Sequence, residues 1–140
     1  DNDTIRKVTR LVKWHDDRPE GTTKSVRRAV NRIGEDLFPL YLEVQQADML
    51  AQSLYRRREK QARLDSVRDA YRQIIEKKQC VSLKTLAVTG RDLIENGYRP
   101  GKEIGEKLEK LLNLVLEDPE KNQKEILLEI IRKDQEKNPA

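Results

Sequence analysis

One cysteine, one histidine, one tryptophan, one phenylalanine and four tyrosines are all that this 140-residue chain has of thiol, imidazole and aromatic side chains. The lone Cys80 excludes an internal disulfide and any multi-cysteine zinc site. With His15 as its only histidine beside a single cysteine, the chain is poorly equipped for most acid–base or metal chemistry. No run of residues approaches the roughly 20 apolar positions that cross a bilayer, so no membrane partner is expected. No charged-then-apolar leader with a small-residue cleavage site is present, and the expected location is cytoplasmic. A Gly-x-x-x-x-Gly-Lys loop is missing, as is a paired-carboxylate motif following a strand. The chain opens Asp1-Asn2-Asp3 in mid-pattern, without a methionine, and is expected to be a piece of a longer protein.

What the chain has in abundance is charge. Charged residues reach 39% against 36% hydrophobic, and 29 basic against 25 acidic residues leave a net charge of +4. Only 6 glycines and 5 prolines occur, spaced at intervals that punctuate helices. Asp3 is placed to cap a first helix with Ile5, Val8, Leu11 and Val12 at helical spacing, ending near Trp14. Thr23 is placed to cap a second, carrying Val26, Ala29, Val30 and Ile33 and stopping at Gly34. A third runs from about Leu37 to Leu54, with Pro39 in its first turn and Leu40, Val44, Ala47, Ala51 and Leu54 on one face. Leu64, Val67, Tyr71 and Ile74 mark a fourth. After a turn near Cys80 come shorter pieces, with Ser82 and Thr89 as caps and Gly97 as a stop. Pro100 opens a helix carrying Ile104, Leu108, Leu111, Leu112 and Val115, and Asp118-Pro119 ends it. Asn122 with Glu125 resembles a capping box for a last helix through Ile126, Leu127, Ile130 and Ile131. No strand pattern survives, and the expected fold is all-α, a multi-helix bundle with a smaller C-terminal helical tail.

The positive excess lies in the first half. Residues 1–80 hold 18 Lys/Arg and 13 Asp/Glu, whereas residues 81–140 hold 11 and 12. On the second helix Lys24, Arg28 and Arg32 recur every four residues, opposite the apolar face, and span roughly 12 Å at helical rise. That spacing suits successive phosphates of a nucleic-acid strand, held through counterion release rather than base identity. Arg6, Arg10 and Lys13 form a weaker stripe beside Asp1 and Asp3, and Arg56, Arg57 and Arg58 a third cluster at a helix junction. On the fourth helix Asp65 with Arg68, and Asp69 with Arg72, neutralise one another at i,i+3. Any amphipathic helix needs a solvated face, and charge runs often supply only that. Aromatic platforms for unpaired bases are sparse (Trp14, Phe38, Tyr41, Tyr55, Tyr71 and Tyr98), which favours recognition of backbone and shape.

Trp14-His15-Asp16-Asp17 is the one cluster with a catalytic look. Its plain reading is a loop imidazole with a carboxylate neighbour, because a metal site would need further His and Asp. Cys80 has no partner base beyond His15 and reads as a small buried residue. Around Gly97 to Gly105 a short helix closes and Pro100-Gly101-Lys102 starts the next. Free N–H groups there, open at Gly101 and flanked by Arg99 and Lys102, make a phosphate-sized pocket. Gly105 would let another backbone approach closely. The same features also make an ordinary helix joint.

That segment carries a resemblance. Thr89, Gly90, Asp92, Leu93, Gly97, Pro100, Gly101, Ile104 and Gly105, followed by Leu111 to Pro119 and Asn122, resemble the C-terminal tail of the bacterial tRNA nucleotidyltransferase/poly(A) polymerase family. Leu11 to Asp16, Val26 to Arg28 through Gly34, and Ala47 to Gln52 resemble the segment after the metal motif in members with an embedded HD domain. The resemblance implies the C-terminal part of an HD-like helical domain over 1–57, a connecting helix over 58–80 and a helical RNA-binding tail over 81–140. It implies tRNA or another structured RNA as partner, gripped by its backbone. Catalysis, with its divalent metal and nucleoside triphosphate, would fall to a head domain of the same chain, and no cofactor is expected on these residues. Lys24, Arg28, Arg32, Arg56, Arg57, Arg58, Arg99, Gly101 and Lys102 are the expected RNA contacts, with no catalytic or metal-binding residue. Two other readings stay open: a remnant of an HD-type metal-dependent phosphohydrolase using His15 and Asp16, and a helical module that meets an acidic protein.

Overall fold

A computed structural model describes residues 1–137, so the last three positions of the expected 81–140 tail lie outside the described residues. Among the described residues seven α-helices and two 3-10 turns are present and no strand. The chain divides into two units, 1–79 and 80–140.

The first unit holds α1 (Asn2–Trp14), α2 (Thr23–Ile33), α3 (Phe38–Ala51) and α4 (Arg57–Glu76). α2 packs on α4, α3 on α4 and on α2, and α1 on α2. The 58–80 stretch, read as a connecting helix, is therefore α4 and the turn after it, and α4 builds much of this unit. The α2 core face is the expected one, since Val26, Ala29, Val30 and Ile33 are all buried. Gly34 ends α2 at φ 115, a conformation that favours glycine. Thr22, not Thr23, is the cap, accepting a hydrogen bond from the Ser25 amide. Similarly Asp1, not Asp3, caps α1.

Two expected core faces are corrected. On α3 the buried side chains are Phe38, Tyr41, Leu42, Gln45 and Met49, while Leu40, Val44, Ala47, Ala51 and Leu54 are exposed. α3 carries apolar residues around much of its circumference, so periodicity alone offers two stripes and packing against α2 and α4 selects one. α1 buries none of its residues, and Ile5, Val8 and Val12 are each more than half exposed. Its attachment is largely polar. Arg6 bridges Asp3 and Asp36, and Arg10 donates to the Ile33 carbonyl at the end of α2.

The second unit contains α5 (Gly90–Glu95), α6 (Lys102–Glu117) and α7 (Lys124–Lys137), with 3-10 turns at Leu83–Thr85 and Pro119–Lys121. Its core collects Cys80, Leu86, Val88, Leu93, Tyr98, Leu111, Leu112, Val115, Leu116, Leu127 and Ile131. Thr89 and Asp92 form a reciprocal capping box on α5. Gly97 closes α5 at φ 96. Asn122 does not cap the last helix: its side chain accepts from the Ala87 amide at 2.8 Å and donates to the Thr85 carbonyl at 3.0 Å. A short side chain with a donor and an acceptor suits either task, and here it ties the start of α7 to the 83–88 segment.

Two carboxylates lock this unit. Asp134 on α7 takes Lys107 at 2.6 Å and Lys110 at 2.9 Å from α6, and Asp92 takes Lys124 at 2.9 Å from α7. The Lys107 and Lys110 bonds hold the Asp134 carboxyl down at about 2. The Thr89 amide, Lys124 and the Thr89 hydroxyl do the same for Asp92. A carboxyl depressed by folding adds stability above its ordinary pKa and loses it as pH falls through the folded value. Thermal unfolding of the chain at successive pH values should therefore show stability falling between about pH 4 and pH 2. In an Asp92→Asn/Asp134→Asn variant that slope should flatten while stability at neutral pH drops. An unchanged slope would remove both carboxylates from this role.

Candidate nucleic-acid interface

α2 turns its buried face inward and leaves Lys24 and Arg32 exposed and Arg28 half-buried on the outside. The three side chains differ in exposure and in their partners. The Asp17 carboxylate from the preceding loop pairs with Arg32, accepting from Nε at 3.0 Å and lying 2.9 Å from Nη2. That pairing is corrected against the expectation of a stripe without nearby acids, because Asp17 lies fifteen residues away in sequence and only the loop's return brings it there. The loop is held by Tyr41, whose hydroxyl donates to the Asp17 carbonyl. Burial, then the nearby Asp17 charge, pushes the Tyr41 phenol up to about 12. Arg27, beside the stripe, is instead buried and donates to Gln79 Oε1 at 3.0 Å.

The three arginines at the α3–α4 junction do three different things. Arg56 sits in the left-handed region at φ 54 and pairs with Glu59. Arg57 donates to the Leu50 and Gln52 carbonyls at 3.1 and 2.8 Å, and so caps the C-terminal end of α3. Arg58 is exposed. One guanidinium of the cluster is thus committed to the fold and one to a local ion pair. In the weaker stripe Arg6 is shared by Asp3 and Asp36, and Lys13 lies over the Trp14 ring at 5.0 Å. On α4 the two i,i+3 pairs form as expected, Asp65–Arg68 at 3.8 Å and Asp69–Arg72 at 3.5 Å.

In the second unit Arg99, Gly101 and Lys102 are all exposed at the start of α6. Gly101 is the residue before the helix, at φ 133, with no side-chain cap and no neighbour within 4 Å of where a Cβ would stand. The end is open, as a phosphate contact requires. Beside it runs a shallow groove that includes Gly101, Lys102, Gly105, Glu106, Glu109 and Lys110. Two carboxylates facing two ammonium groups, one of them already bound to Asp134, leave that groove without a positive surplus. Gly105 admits no close neighbour; the close approach is at Gly90, where a Cβ would stand 3.1 Å from Ile104 Cγ2.

His15 Nδ1 lies 2.6 Å from the Val12 carbonyl oxygen and Nε2 lies 3.2 Å from Asp16. Among the described residues no group of three or more His, Cys, Asp or Glu side chains is arranged to hold a metal ion. No helix among the described residues is long and apolar enough to cross a membrane. Of the aromatic residues, Phe38, Tyr41 and Tyr98 are buried, Trp14 and Tyr71 half-buried, and Tyr55 is 73% exposed. Stacking platforms are therefore few among the described residues.

Sequence spacing had not drawn attention to Arg18, Lys60 and Arg63, which the fold brings to one cavity from a loop and α4. Lys60 and Arg63 are i,i+3 neighbours on α4, but Arg18 lies in a loop, and no periodic signal could have joined it to them.

A family model described as tRNA nucleotidyltransferase domain 2 matches residues 1–131. No curated protein and no solved structure matches the chain.

Proposed function

We propose, given that this chain belongs to the tRNA nucleotidyltransferase domain 2 family, that it grips structured RNA, tRNA foremost, by its sugar-phosphate backbone. Nucleotide addition falls, on this reading, to a head domain of the same polypeptide in the cytoplasm, where divalent metal and nucleoside triphosphate also belong. The observation that carries the proposal is the outer face of α2, where Lys24, Arg28 and Arg32 stand opposite a fully buried apolar face. Arg32 is oriented by Asp17, while Lys24 is exposed and Arg28 half-buried. Such a rib recognises charge spacing and shape, consistent with the scarcity of exposed aromatic rings. Arg99, Gly101 and Lys102 at the open start of α6 supply a second contact, weaker because carboxylates share the adjoining groove. Arg56 and Arg58 remain candidates, whereas Arg57 serves α3.

A Lys24→Glu/Arg28→Glu variant tests the assignment without disturbing the Arg32–Asp17 pair. It should lower tRNA affinity by about tenfold or more, and reduce the slope of log affinity against log salt by about 2. Circular dichroism should show unchanged helix content. Unaltered affinity and slope would reject the α2 face as the grip. Preferential binding of the parent chain to an acidic polypeptide over tRNA would reject RNA as the partner.

A further inference from the structure

A cavity of about 290 Å³ in the first unit is lined by Arg18, Lys60, Arg63, Asp48, Met49 and Leu64, among others. Three cations share it with a single carboxylate, and that carboxylate is already engaged: Asp48 lies 3.8 Å from Arg18 and accepts from Gln52 Nε2 at 3.0 Å. Among the described residues no carboxylate pairs with Lys60 or Arg63. Arg63 donates to the Pro19 carbonyl at 2.9 Å, and Arg18 donates to Gln45 Oε1 and the His15 carbonyl at 2.7 and 2.8 Å. Those bonds hold both guanidiniums in place, Arg18 with Asp48 beside it and Arg63 with a neutral oxygen acceptor. Burial pushes the Arg63 pKa down, and the neighbouring Arg18 charge adds to that. Holding like charges together in a half-buried recess costs repulsion and desolvation, and the one carboxylate in the lining, Asp48, lies 3.8 Å from Arg18. Met49 and Leu64 supply its apolar lining and are 7% and 3% exposed.

We propose that this cavity binds a phosphate group carried on one nucleotide unit, with the phosphate on Arg18, Lys60 and Arg63 and the sugar against Met49 and Leu64. The volume sits at the low end of small-ligand pockets, which run from about 300 Å³ upward, and leaves room for a single nucleotide rather than a duplex. Paired guanidiniums and an ammonium are the groups that recognise phosphate, the first through planar forks and the second as a point charge. The phosphate arrives either within an RNA chain or on a free nucleotide. The site is independent of the α2 face and stands or falls separately from it.

Met49 is the only methionine, so its ε-methyl resonance reports on the cavity without ambiguity. The full chain is titrated in turn with adenosine monophosphate, a short single-stranded RNA and inorganic phosphate. A saturable shift of the Met49 resonance is expected with at least one of the first two, and a weaker one with inorganic phosphate. A shift with RNA alone identifies the phosphodiester as the source, and a shift with adenosine monophosphate identifies a free nucleotide; either supports the site. Lys60→Glu should weaken the response by about tenfold, the scale of one lost charge-assisted hydrogen bond, and Lys60→Arg should preserve it. Lys60→Gln, which only removes the charge, gives the same reading should the charge reversal impair folding. A Met49 resonance unmoved by all three probes, or affinity unchanged in Lys60→Glu and Lys60→Gln, overturns the proposal. RNA binding that is lost in Lys24→Glu/Arg28→Glu while the Met49 shift with adenosine monophosphate persists separates the two surfaces.

Discussion

Phe38→Ala is expected to destabilise the first unit by about 3–5 kcal/mol, the loss typical of deleting a fully buried aromatic side chain. Phe38 is 0% exposed. Its ring centroid lies 4.9 Å from that of Tyr71 on α4 and 5.4 Å from that of Tyr41. Truncation would leave a void between α3 and α4 and remove the packing that holds Tyr41. Tyr41 in turn holds the Asp17 carbonyl, and Asp17 orients Arg32, so the expected result reaches the proposed RNA face. Urea unfolding followed by circular dichroism should show a midpoint much below that of the parent chain. Tyr55→Ala, at a 73% exposed aromatic, serves as the control and should change stability by less than about 0.5 kcal/mol. Similar losses in both variants would contradict the core drawn here.

The second large effect comes from a glycine contrast. A Cβ at Gly21 would overlap Ser66 Cβ on α4, with the Ser66 carbonyl carbon 3.3 Å away, so relief requires a backbone shift. Gly21→Ala should therefore cost about 1–3 kcal/mol through overpacking. Gly105 is the opposite case. It lies inside α6 with open space around its Cβ position, and Gly105→Ala should stabilise the second unit by roughly 0.5–1 kcal/mol through helix propensity. Differential scanning calorimetry of the two variants should show shifts of opposite sign. A destabilising Gly105→Ala would mean that the residue is held in a way the open groove does not reveal. If Gly105→Ala stabilises the chain yet weakens tRNA binding, the groove beside Gly101 joins the RNA contact.

Much of the helical punctuation was legible because its causes are local. Gly34 and Gly97 stop helices through backbone conformations that other residues rarely adopt, and Pro39 enters a first turn where its missing N–H costs nothing. Thr89 with Asp92 closes a capping box within four consecutive residues. The α2 core face was legible for a related reason: its apolar residues fill one stripe and its charges another, leaving one way to bury it. Membership of the tRNA nucleotidyltransferase domain 2 family was legible in the Thr89 to Gly105 segment, where Gly97 and Gly101 take left-handed backbone conformations.

Other features waited on tertiary contacts. α3 has two apolar faces, and only the approach of α2 and α4 decided that Phe38, Tyr41 and Met49 go inside while Leu40, Val44 and Leu54 stay out. The stripe on α2 looked free of acids until the 16–20 loop returned Asp17 to Arg32. Three consecutive arginines, alike as letters, divided into an ion pair, a helix cap and an exposed cation because the chain bends there. The sequence by itself determined an all-α chain, the approximate extent of its helices, and an excess of positive charge in the first half. The tertiary structure alone decided which of those charges are neutralised and which converge on one cavity. The physical reason is range: dihedral preference and capping act within a turn of helix, whereas burial and ion pairing depend on which distant residues folding makes neighbours.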